Sequence, residues 1–234
     1  MEFPNLTRAG KVLPELLKYL NINELYPPQK EAIDIINRKE SVLMSVPTAA
    51  GKTIVAYAGL MNAVNQGKKG IYLVPLRALA WEKVNELRSI CKNILNGAKI
   101  GMSVGDFDKA KGLSKYDIII ATSERADSLI RHNPPWLDEI GCLVADEIHL
   151  LNDSGRGPTL EVILAKFREI NQDIQIIGLS ATVSNSEEIA QWLNAKLVKS
   201  DFRPVPLRKG IALENEIKWE DGKSNKIAIQ GVEG

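Results

Sequence analysis

The chain alternates short apolar runs with segments of helical spacing. The runs are rich in β-branched residues and nearly continuous in apolar character, which predicts strands covered on both faces. Five intervening segments, the first of them KTIVAYAGLMNAVNQG (52–67), carry apolar residues at the spacing of a helix. Strands that alternate with helices are typical of βαβ units and a mostly parallel sheet. The predicted strands are SVLMSV (41–46), GIYLVP (70–75), KIGMSV (99–104), YDIIIAT (116–122), GCLVADE (141–147) and DIQIIGLSAT (173–182).

The pattern changes after about residue 200, where apolar and polar residues alternate around the segment DGKSN (221–225). This alternation predicts a short β-hairpin or the start of a linker. A chain of 234 residues can bury one large core. We therefore expect one α/β domain over residues 1–200 and a β-rich appendage or linker over 201–234.

Composition excludes some classes of protein. The 30 basic and 29 acidic residues leave a net charge of +1, so any nucleic acid must be bound by local groups and not by overall charge. No apolar stretch approaches the roughly 18 residues that cross a bilayer, and the N-terminus lacks the order of a secretion signal. We expect a cytoplasmic protein without a membrane partner. Cys91 and Cys142 are predicted to be reduced and structural.

The segment VPTAAGKT (46–53) follows a predicted strand and precedes a predicted helix. It matches the Gly-Lys-Ser/Thr end of the phosphate-loop pattern, although Val46 stands at the position of the first glycine. In such a loop the backbone amides surround a phosphate, Lys52 contacts the β- and γ-phosphates, and the Thr53 hydroxyl ligates Mg²⁺. The alternative is a small-residue turn with a solvated lysine. The candidate nucleotide-binding residues of this loop are Val46, Pro47, Thr48, Ala49, Ala50, Gly51, Lys52 and Thr53.

Two carboxylates end another predicted strand, and the first of them lies 94 residues after Lys52. Asp146 and Glu147 end an apolar run, which places them at the carboxyl edge of a parallel sheet, where such folds bind ligands. Asp146 would hold the metal, and Glu147 would orient and deprotonate the attacking water. Taken alone, the pair could be an ordinary start of a loop. Its occurrence together with the phosphate loop favours a nucleotide hydrolase.

Several motifs in order resemble the superfamily-two DExH helicases, and within them the Ski-type branch. The resemblance spans roughly residues 20 to 210 and implies a RecA-like P-loop NTPase domain, with helices on both faces of the sheet, that uses ATP and Mg²⁺. The matching segments are YPPQ (26–29, the Q motif), VPTAAGKT (motif I), PLRALA (75–80, motif Ia), ATSERADSLIRH (121–132, motif Ib), DEIH (146–149, motif II) and SAT (180–182, motif III).

On the nucleotide side, the resemblance implies two further site residues. Gln29 corresponds to the residue that hydrogen-bonds adenine, and His149 to a catalytic-site residue that senses the γ-phosphate and neighbouring groups. Each residue has an alternative interpretation. Gln29 could lie on the exposed face of a helix, and His149 could be a core histidine with its hydrogen bonds satisfied.

On the nucleic-acid side, the resemblance implies that motifs Ia and Ib hold the strand backbone. Arg77, Thr122 and Arg125 are the candidate contacts. Ser180 and Thr182 are the candidates for coupling nucleotide state to strand binding. Arg77 could instead be a surface charge, and the two hydroxyls could cap a helix.

The most similar group within this branch is the archaeal Hjm-type DNA-repair helicases. TSERADSLIRH (122–132), RGPTLE (156–161) and FRPVPLRKG (202–210) resemble that group, whereas Ala50 replaces its usual serine and Arg125 its usual lysine. The resemblance implies the N-terminal motor domain of an ATP-dependent 3′–5′ DNA helicase that acts on branched or stalled-fork DNA in repair and recombination. The alternatives are an RNA helicase of the Ski or spliceosomal type, a nucleotide-gated binding module, and a translocase that does not separate strands.

Only 52 residues follow Thr182, and no Q-x-x-G-R-x-G-R stretch occurs that would supply an arginine finger. We therefore expect a piece of a longer helicase, with little or no activity alone. The expected partners are single-stranded or branched DNA, favoured over RNA, and a second RecA-like domain with accessory domains of the same longer chain.

Overall fold

The computed structural model describes residues 12–95, 97–104, 110–213 and 216–226. Short 3₁₀ helices cover Ala110–Leu113, Pro135–Glu139 and Ile148–Asn152. The α-helices are α1 (Val12–Tyr19), α2 (Pro27–Asn37), α3 (Thr53–Asn65), α4 (Arg77–Ile94), α5 (Ser123–His132), α6 (Gly157–Ile170) and α7 (Ser186–Leu193). The strands are β1 (Val42–Ser45), β2 (Lys69–Val74), β3 (Ile100–Ser103), β4 (Ile118–Thr122), β5 (Ile140–Ala145), β6 (Gln175–Ser180), β7 (Lys196–Lys199), β8 (Gly210–Leu213), β9 (Glu216–Trp219) and β10 (Ser224–Lys226).

Strands β1 to β7 form one sheet in the order β3-β4-β2-β5-β6-β1-β7, and every pairing in it is parallel. All six predicted strands and all five predicted helices are present. The prediction of a mostly parallel α/β sheet is confirmed. Because parallel strands share one carboxyl edge, the loops that follow them gather along that edge.

Helices cover both faces of this sheet because successive strand residues point to opposite sides. One core packs α1 to α4 against Met44, Tyr72 and Val144. The other packs α5 to α7 against their chain neighbours Leu43, Ile71 and Leu143. Nearly continuous apolar runs are thus required, since each strand must supply side chains to two cores.

One strand was not among the predicted strands, whereas the proline of α6 lies where a helix accommodates it. The edge strand β7 has only Val198 buried, so it lacks an apolar run that would reveal it in the sequence. Helix α6 has Pro158 in its first turn, where proline fits because its missing N–H has no partner in a helix.

The C-terminal residues form a separate compact unit that divides from the rest between Phe202 and Arg203. Its described strands pair antiparallel in the order β10-β9-β8. The predicted hairpin is β9–β10, whose turn carries Gly222 at φ 78°. The guanidinium carbon of Arg208 lies 4.4 Å from the Trp219 ring centre, which covers one face of the indole.

Within the described residues, no helix is both long and apolar enough to span a bilayer. Cys91 and Cys142 are buried and free of disulfide bonds. Burial raises the pKa of each thiol to about 12, which leaves both as neutral, unreactive core groups.

Candidate active site

Three candidate motifs meet at the carboxyl edge of the sheet, because β6 lies between β5 and β1. The backbone N–H of Val46 donates to the Ser180 carbonyl at 3.3 Å. The hydroxyl of Ser45 donates to the Ala181 carbonyl, also at 3.3 Å. The segments that resemble motifs I and III are therefore hydrogen-bonded to each other at their starts.

The loop between β1 and α3 has the compact backbone that a phosphate loop requires. Ala49 and Gly51 have φ values of 72° and 68°, and the N–H of Ala50 donates to the Pro47 carbonyl at 3.2 Å. A left-handed alanine costs on the order of 1 kcal/mol or more, and such strain concentrates at functional sites. Helix α3 begins at Thr53, so the loop amides and the positive helix end lie together.

Gln29 is buried, with 4% of its surface exposed. Its amide nitrogen donates to the carbonyls of Ala50 and Gly51, both at 3.0 Å, and its amide oxygen accepts from the Tyr26 N–H at 2.9 Å. The alternative that placed Gln29 on an exposed helix face is wrong. The side chain holds the phosphate loop directly, and its contact with adenine stays a prediction.

A cleft of about 580 Å³ opens beside this loop. Gln29, Gly51 and Thr53 line the part nearest the phosphate loop, a size and position suited to a small ligand. Lys83 and Glu86 also line the cleft and are paired at 3.2 Å. The apolar and aromatic residues that line the cleft are Tyr19, Leu20, Ile22, Tyr26, Ile54, Tyr57 and Ile90.

Lys52 folds back over its own loop. Its ammonium donates to the carbonyls of Val46 at 3.2 Å and Pro47 at 3.4 Å, and the residue is half-buried. Burial lowers the pKa of Lys52, while the charges of Glu147 and Asp146 act in the opposite direction. The alternative of a solvated lysine is wrong, because this ammonium is partly desolvated and lies within the field of both carboxylates.

Asp146 is anchored at the end of β5. Its N–H donates to the Leu73 carbonyl at 3.1 Å, its Oδ1 accepts from the Glu147 N–H at 3.0 Å, and its Oδ2 accepts from the Tyr72 hydroxyl at 2.8 Å. Glu147 has a left-handed backbone with φ 51°. The chain therefore turns sharply after β5, and this is the second strained non-glycine residue at the same sheet edge.

His149 lies in the 3₁₀ helix that follows. Its Nδ1 is 3.3 Å from Glu147 Oε2, but the geometry is not that of a hydrogen bond. Among the described residues this buried nitrogen has no hydrogen-bond partner. The alternative of a satisfied core histidine is therefore wrong, and contact with the γ-phosphate stays a prediction.

The candidate strand-contact residues lie toward the other half of the same edge, after the paired strands β2 and β4. Arg77 is exposed and begins α4. Arg125 is half-buried, with Nε 3.5 Å from the Ser103 hydroxyl. Thr122 is only 4% exposed, so little of it can be reached from the surface on which a strand would rest. These contacts stay predictions, and burial makes Thr122 the least accessible of the three.

The coupling candidates differ in exposure. Ser180 is fully buried and its hydroxyl donates to the Ala181 carbonyl at 2.7 Å, whereas Thr182 is exposed. The alternative of helix capping is wrong for Ser180, because α7 begins only at Ser186 after the N-cap Asn185. Coupling stays a prediction for both.

Sequence reasoning missed a polar cluster that adjoins the site. Tyr72 is fully buried and donates to Asp146, and its ring centre lies 6.4 Å from that of Tyr57. The Tyr57 hydroxyl donates to Glu86. Tyr57 follows Thr53 by one helical turn, and this spacing could have placed Tyr57 near the site. The contact between Tyr72 and Asp146 depends on strand register, so no sequence motif marks it.

The donors at this edge fit Mg²⁺. Hydroxyl and carboxylate oxygens, as in Thr53 and Asp146, suit a hard cation that retains waters and binds through substrate phosphates. The described ranges hold no group of three or more His, Cys, Asp or Glu side chains that could bind a metal by themselves.

A parallel sheet with a candidate phosphate loop and two candidate carboxylates at one edge is typical of RecA-like nucleotide-binding domains. The family model for DEAD/DEAH box helicases matches residues 26–189, and the chain belongs to this family.

Curated relatives support this assignment, and a solved structure shows a similar fold. The chain is 50% identical over 226 residues to ATP-dependent DNA helicase Hel308 of Methanococcus vannielii, covering 93% of this chain and 30% of that protein. It is 48% identical over 223 residues to Hel308 of Pyrococcus horikoshii, covering 94% and 30%. The chain thus spans less than a third of these curated relatives. The crystal structure of the DUF1998 helicase MrfA bound to DNA and AMPPNP is similar in fold, with a TM-score of 0.72 and 24% identity over 85% of this chain and 30% of that one.

Proposed function

We propose that this chain is the N-terminal ATP-binding motor domain of an ATP-dependent 3′–5′ DNA helicase that acts on branched or stalled-fork DNA in repair and recombination. The structural observation that carries the proposal is the position of the Lys52 ammonium, over the phosphate loop and in the field of Asp146 and Glu147. The relatives named ATP-dependent DNA helicase support DNA as the substrate.

ATP would bind with its phosphates along the loop 46–53 and its base in the adjoining cleft. Lys52 would release the carbonyls of Val46 and Pro47 and turn to the β- and γ-phosphates. Gln29 would accept a hydrogen bond from the base with its amide oxygen, which has a second lone pair beside the bond from the Tyr26 N–H, while its amide nitrogen still holds the loop. Binding of nucleotide is therefore expected to rearrange contacts that the chain now makes with itself.

Hydrolysis requires positioning and charge stabilisation more than covalent chemistry from the protein. Thr53 and Asp146 would hold Mg²⁺, which neutralises charge on the phosphates when bound. Glu147 would orient the attacking water and accept its proton. His149 would orient that carboxylate or contact the γ-phosphate; the 3.3 Å between its Nδ1 and Glu147 Oε2 supports this.

The DNA strand would run along the edge formed by the ends of β2 and β4. Arg77 and Arg125 would contact its phosphates, which positions a strand without reading sequence. Ser180 and Thr182 would connect this surface to the nucleotide, through the hydrogen bonds between motifs I and III. A second RecA-like domain and accessory domains of a longer chain would complete the motor.

Equilibrium binding tests the nucleotide and DNA parts of the proposal together. A fluorescent ATP analogue is titrated into the chain with Mg²⁺, and labelled single-stranded DNA and RNA of one sequence are titrated separately. We expect Mg²⁺-dependent nucleotide binding and tighter binding of DNA than of RNA. Absence of nucleotide binding would refute the active site, and preference for RNA would favour the Ski-type or spliceosomal alternative. Strand displacement by the longer helicase then separates a helicase from a translocase.

A further inference from the structure

We propose that Tyr72 is a positioning residue that holds the Asp146 carboxylate in the orientation in which it takes Mg²⁺. The inference rests on the proposed function, in which Asp146 is a metal ligand. What carries it is the direct hydrogen bond of 2.8 Å from the Tyr72 hydroxyl to Asp146 Oδ2, made by a tyrosine that is fully buried.

The strand register brings the two side chains together. Tyr72 on β2 pairs with Val144 on β5. Asp146 follows Val144 by two residues, so its side chain leaves the sheet on the same face. A tyrosine can span the diagonal distance between neighbouring strands, which a shorter side chain could not. The contact is therefore built into the sheet and does not depend on a mobile loop.

The two hydrogen bonds to Asp146 fix the carboxylate from both sides. Oδ1 accepts from the Glu147 N–H at 3.0 Å and Oδ2 accepts from Tyr72. A carboxylate offers about four lone-pair sites, so both oxygens keep a free direction for a metal or a metal-bound water. Rotation of Asp146 would leave the buried phenol without its acceptor, which is costly in a core. Ligating carboxylates are commonly oriented by such outer contacts.

A second tyrosine supplies a matched comparison. Tyr57 lies in the same cluster, with its ring centre 6.4 Å from that of Tyr72, and its hydroxyl donates to Glu86 and not to Asp146. Tyr57→Phe and Tyr72→Phe each remove one phenol hydroxyl from neighbouring positions. Only Tyr72→Phe removes a contact with the candidate metal ligand.

The test measures how strongly Mg²⁺ enhances nucleotide binding by the purified chain, without relying on turnover. A fluorescent ATP analogue is titrated at a series of Mg²⁺ concentrations, well below the melting temperature of the least stable variant. We expect Tyr72→Phe to need about 10-fold more Mg²⁺ for half-maximal enhancement, the lower end of what loss of an outer contact costs a metal site. For Tyr72→Phe, affinity without Mg²⁺ should stay unchanged. Tyr57 lines the cleft, so Tyr57→Phe can change the affinity for the nucleotide itself; its Mg²⁺ requirement, read against its own affinity without Mg²⁺, should not rise.

Each variant's affinity without Mg²⁺ serves as its own reference, so a change in the folded fraction cannot imitate the result. Equal Mg²⁺ requirements for Tyr72→Phe and the unmodified chain would overturn the inference while leaving the proposed function intact. An equal rise of the Mg²⁺ requirement in both phenylalanine variants would also overturn the inference, because the effect would then come from packing and not from the contact with Asp146. If Mg²⁺ fails to enhance binding by the unmodified chain, the metal role of Asp146 falls, and this inference falls with it.

Discussion

The side-chain amide of Gln29 donates to the Gly51 carbonyl at 3.0 Å, across 22 residues of sequence. A Cβ atom placed on Gly51 would lie 2.3 Å from the Gln29 amide nitrogen, so this contact also explains the glycine, which has φ 68°. One buried side chain of α2 thus fixes the backbone that is proposed to surround the phosphates.

Gln29→Glu should damage the loop more than Gln29→Ala does. The glutamate would bury an acceptor against the carbonyls of Ala50 and Gly51, whereas alanine only removes the donor at a cost of about 1 to 3 kcal/mol. We expect both variants to bind MgATP more weakly, with the larger loss of stability for glutamate. Urea melts and analogue binding measure the two effects, and Lys30→Ala at the exposed neighbouring position is the control. A glutamate variant as stable as the alanine variant would contradict the assigned contacts.

The strands and helices around the site could be predicted because each follows a strong local pattern. Each central strand supplies side chains to two cores, so β1, β5 and β6 are continuous apolar runs that the sequence predicts. The candidate motifs at their ends were recognised by the spacing of their residues. Edge strand β7 was missed because only Val198 is buried there. A local sequence pattern therefore predicts the strands that are buried in the core, but not a strand at the edge of the sheet with few buried residues.

Partners within the site could not be predicted, because they depend on register and on the path of loops. Gln29 was selected by its motif, but its bonds to the phosphate loop join residues that are distant in sequence. In the sequence, Tyr72 is an ordinary residue of an apolar strand, and only the pairing of β2 with β5 brings it to Asp146. The two exposure alternatives, for Gln29 and Lys52, are wrong because folding removes both polar groups from water: Gln29 contacts a loop distant in sequence, and Lys52 folds over its own loop.

Lys52→Ala should abolish Mg²⁺-dependent nucleotide binding while thermal melts barely move. The lowered pKa of Lys52 means that the folded state disfavours its charge, so removing the lysine relieves a cost. This cost is fully present below the lowered pKa and disappears as pH rises toward the ordinary value of 10.5. We therefore expect the unmodified chain to gain stability relative to the alanine variant over that alkaline window. Undiminished nucleotide binding by the variant would rule out the phosphate-loop assignment.

Substitutions of Asp146 and Glu147 should impair different steps. In a chain that carries both motor domains, Glu147→Gln should still bind MgATP but lose nearly all hydrolysis, because shape persists and the base is gone. Asp146→Ala should weaken Mg²⁺-dependent binding itself, and it should also destabilise the fold by about 1 to 3 kcal/mol because the Tyr72 hydroxyl loses its acceptor. Asp146→Asn keeps an acceptor and should spare stability. Wild-type hydrolysis by the glutamine variant would remove Glu147 from the mechanism.

Arg77→Ala should reduce the salt dependence of binding to single-stranded DNA. Loss of one phosphate contact lowers the slope of log affinity against log salt concentration by roughly 0.7, whatever the base sequence. Lys92→Ala, at an exposed position near the other end of α4, is the matched control for removal of one positive charge. The slope is read from fluorescence anisotropy at several salt concentrations. A slope unchanged by Arg77→Ala, or lowered equally by Lys92→Ala, would remove Arg77 from the strand contact.

The 234-residue chain alone should bind ATP weakly and do little chemistry with it. The proposed site carries a phosphate loop, a metal carboxylate and a candidate base, but these 234 residues contain no Q-x-x-G-R-x-G-R stretch to supply an arginine finger. Such an arginine contributes about 10³ to 10⁵ in turnover. Unwinding further requires two lobes that close on a strand and release it.

We therefore expect little or no phosphate release by the isolated chain with or without single-stranded DNA, and no displacement of a labelled strand from a 3′-tailed duplex. Adding a second motor domain to the same chain should restore both activities, and the glutamine variant at position 147 of that longer chain serves as the inactive control. Robust DNA-stimulated turnover or strand displacement by the isolated chain would show that the catalytic groups are complete within it. The proposed dependence on a second domain would then be wrong, while the assignment of the phosphate loop and the carboxylates would stand.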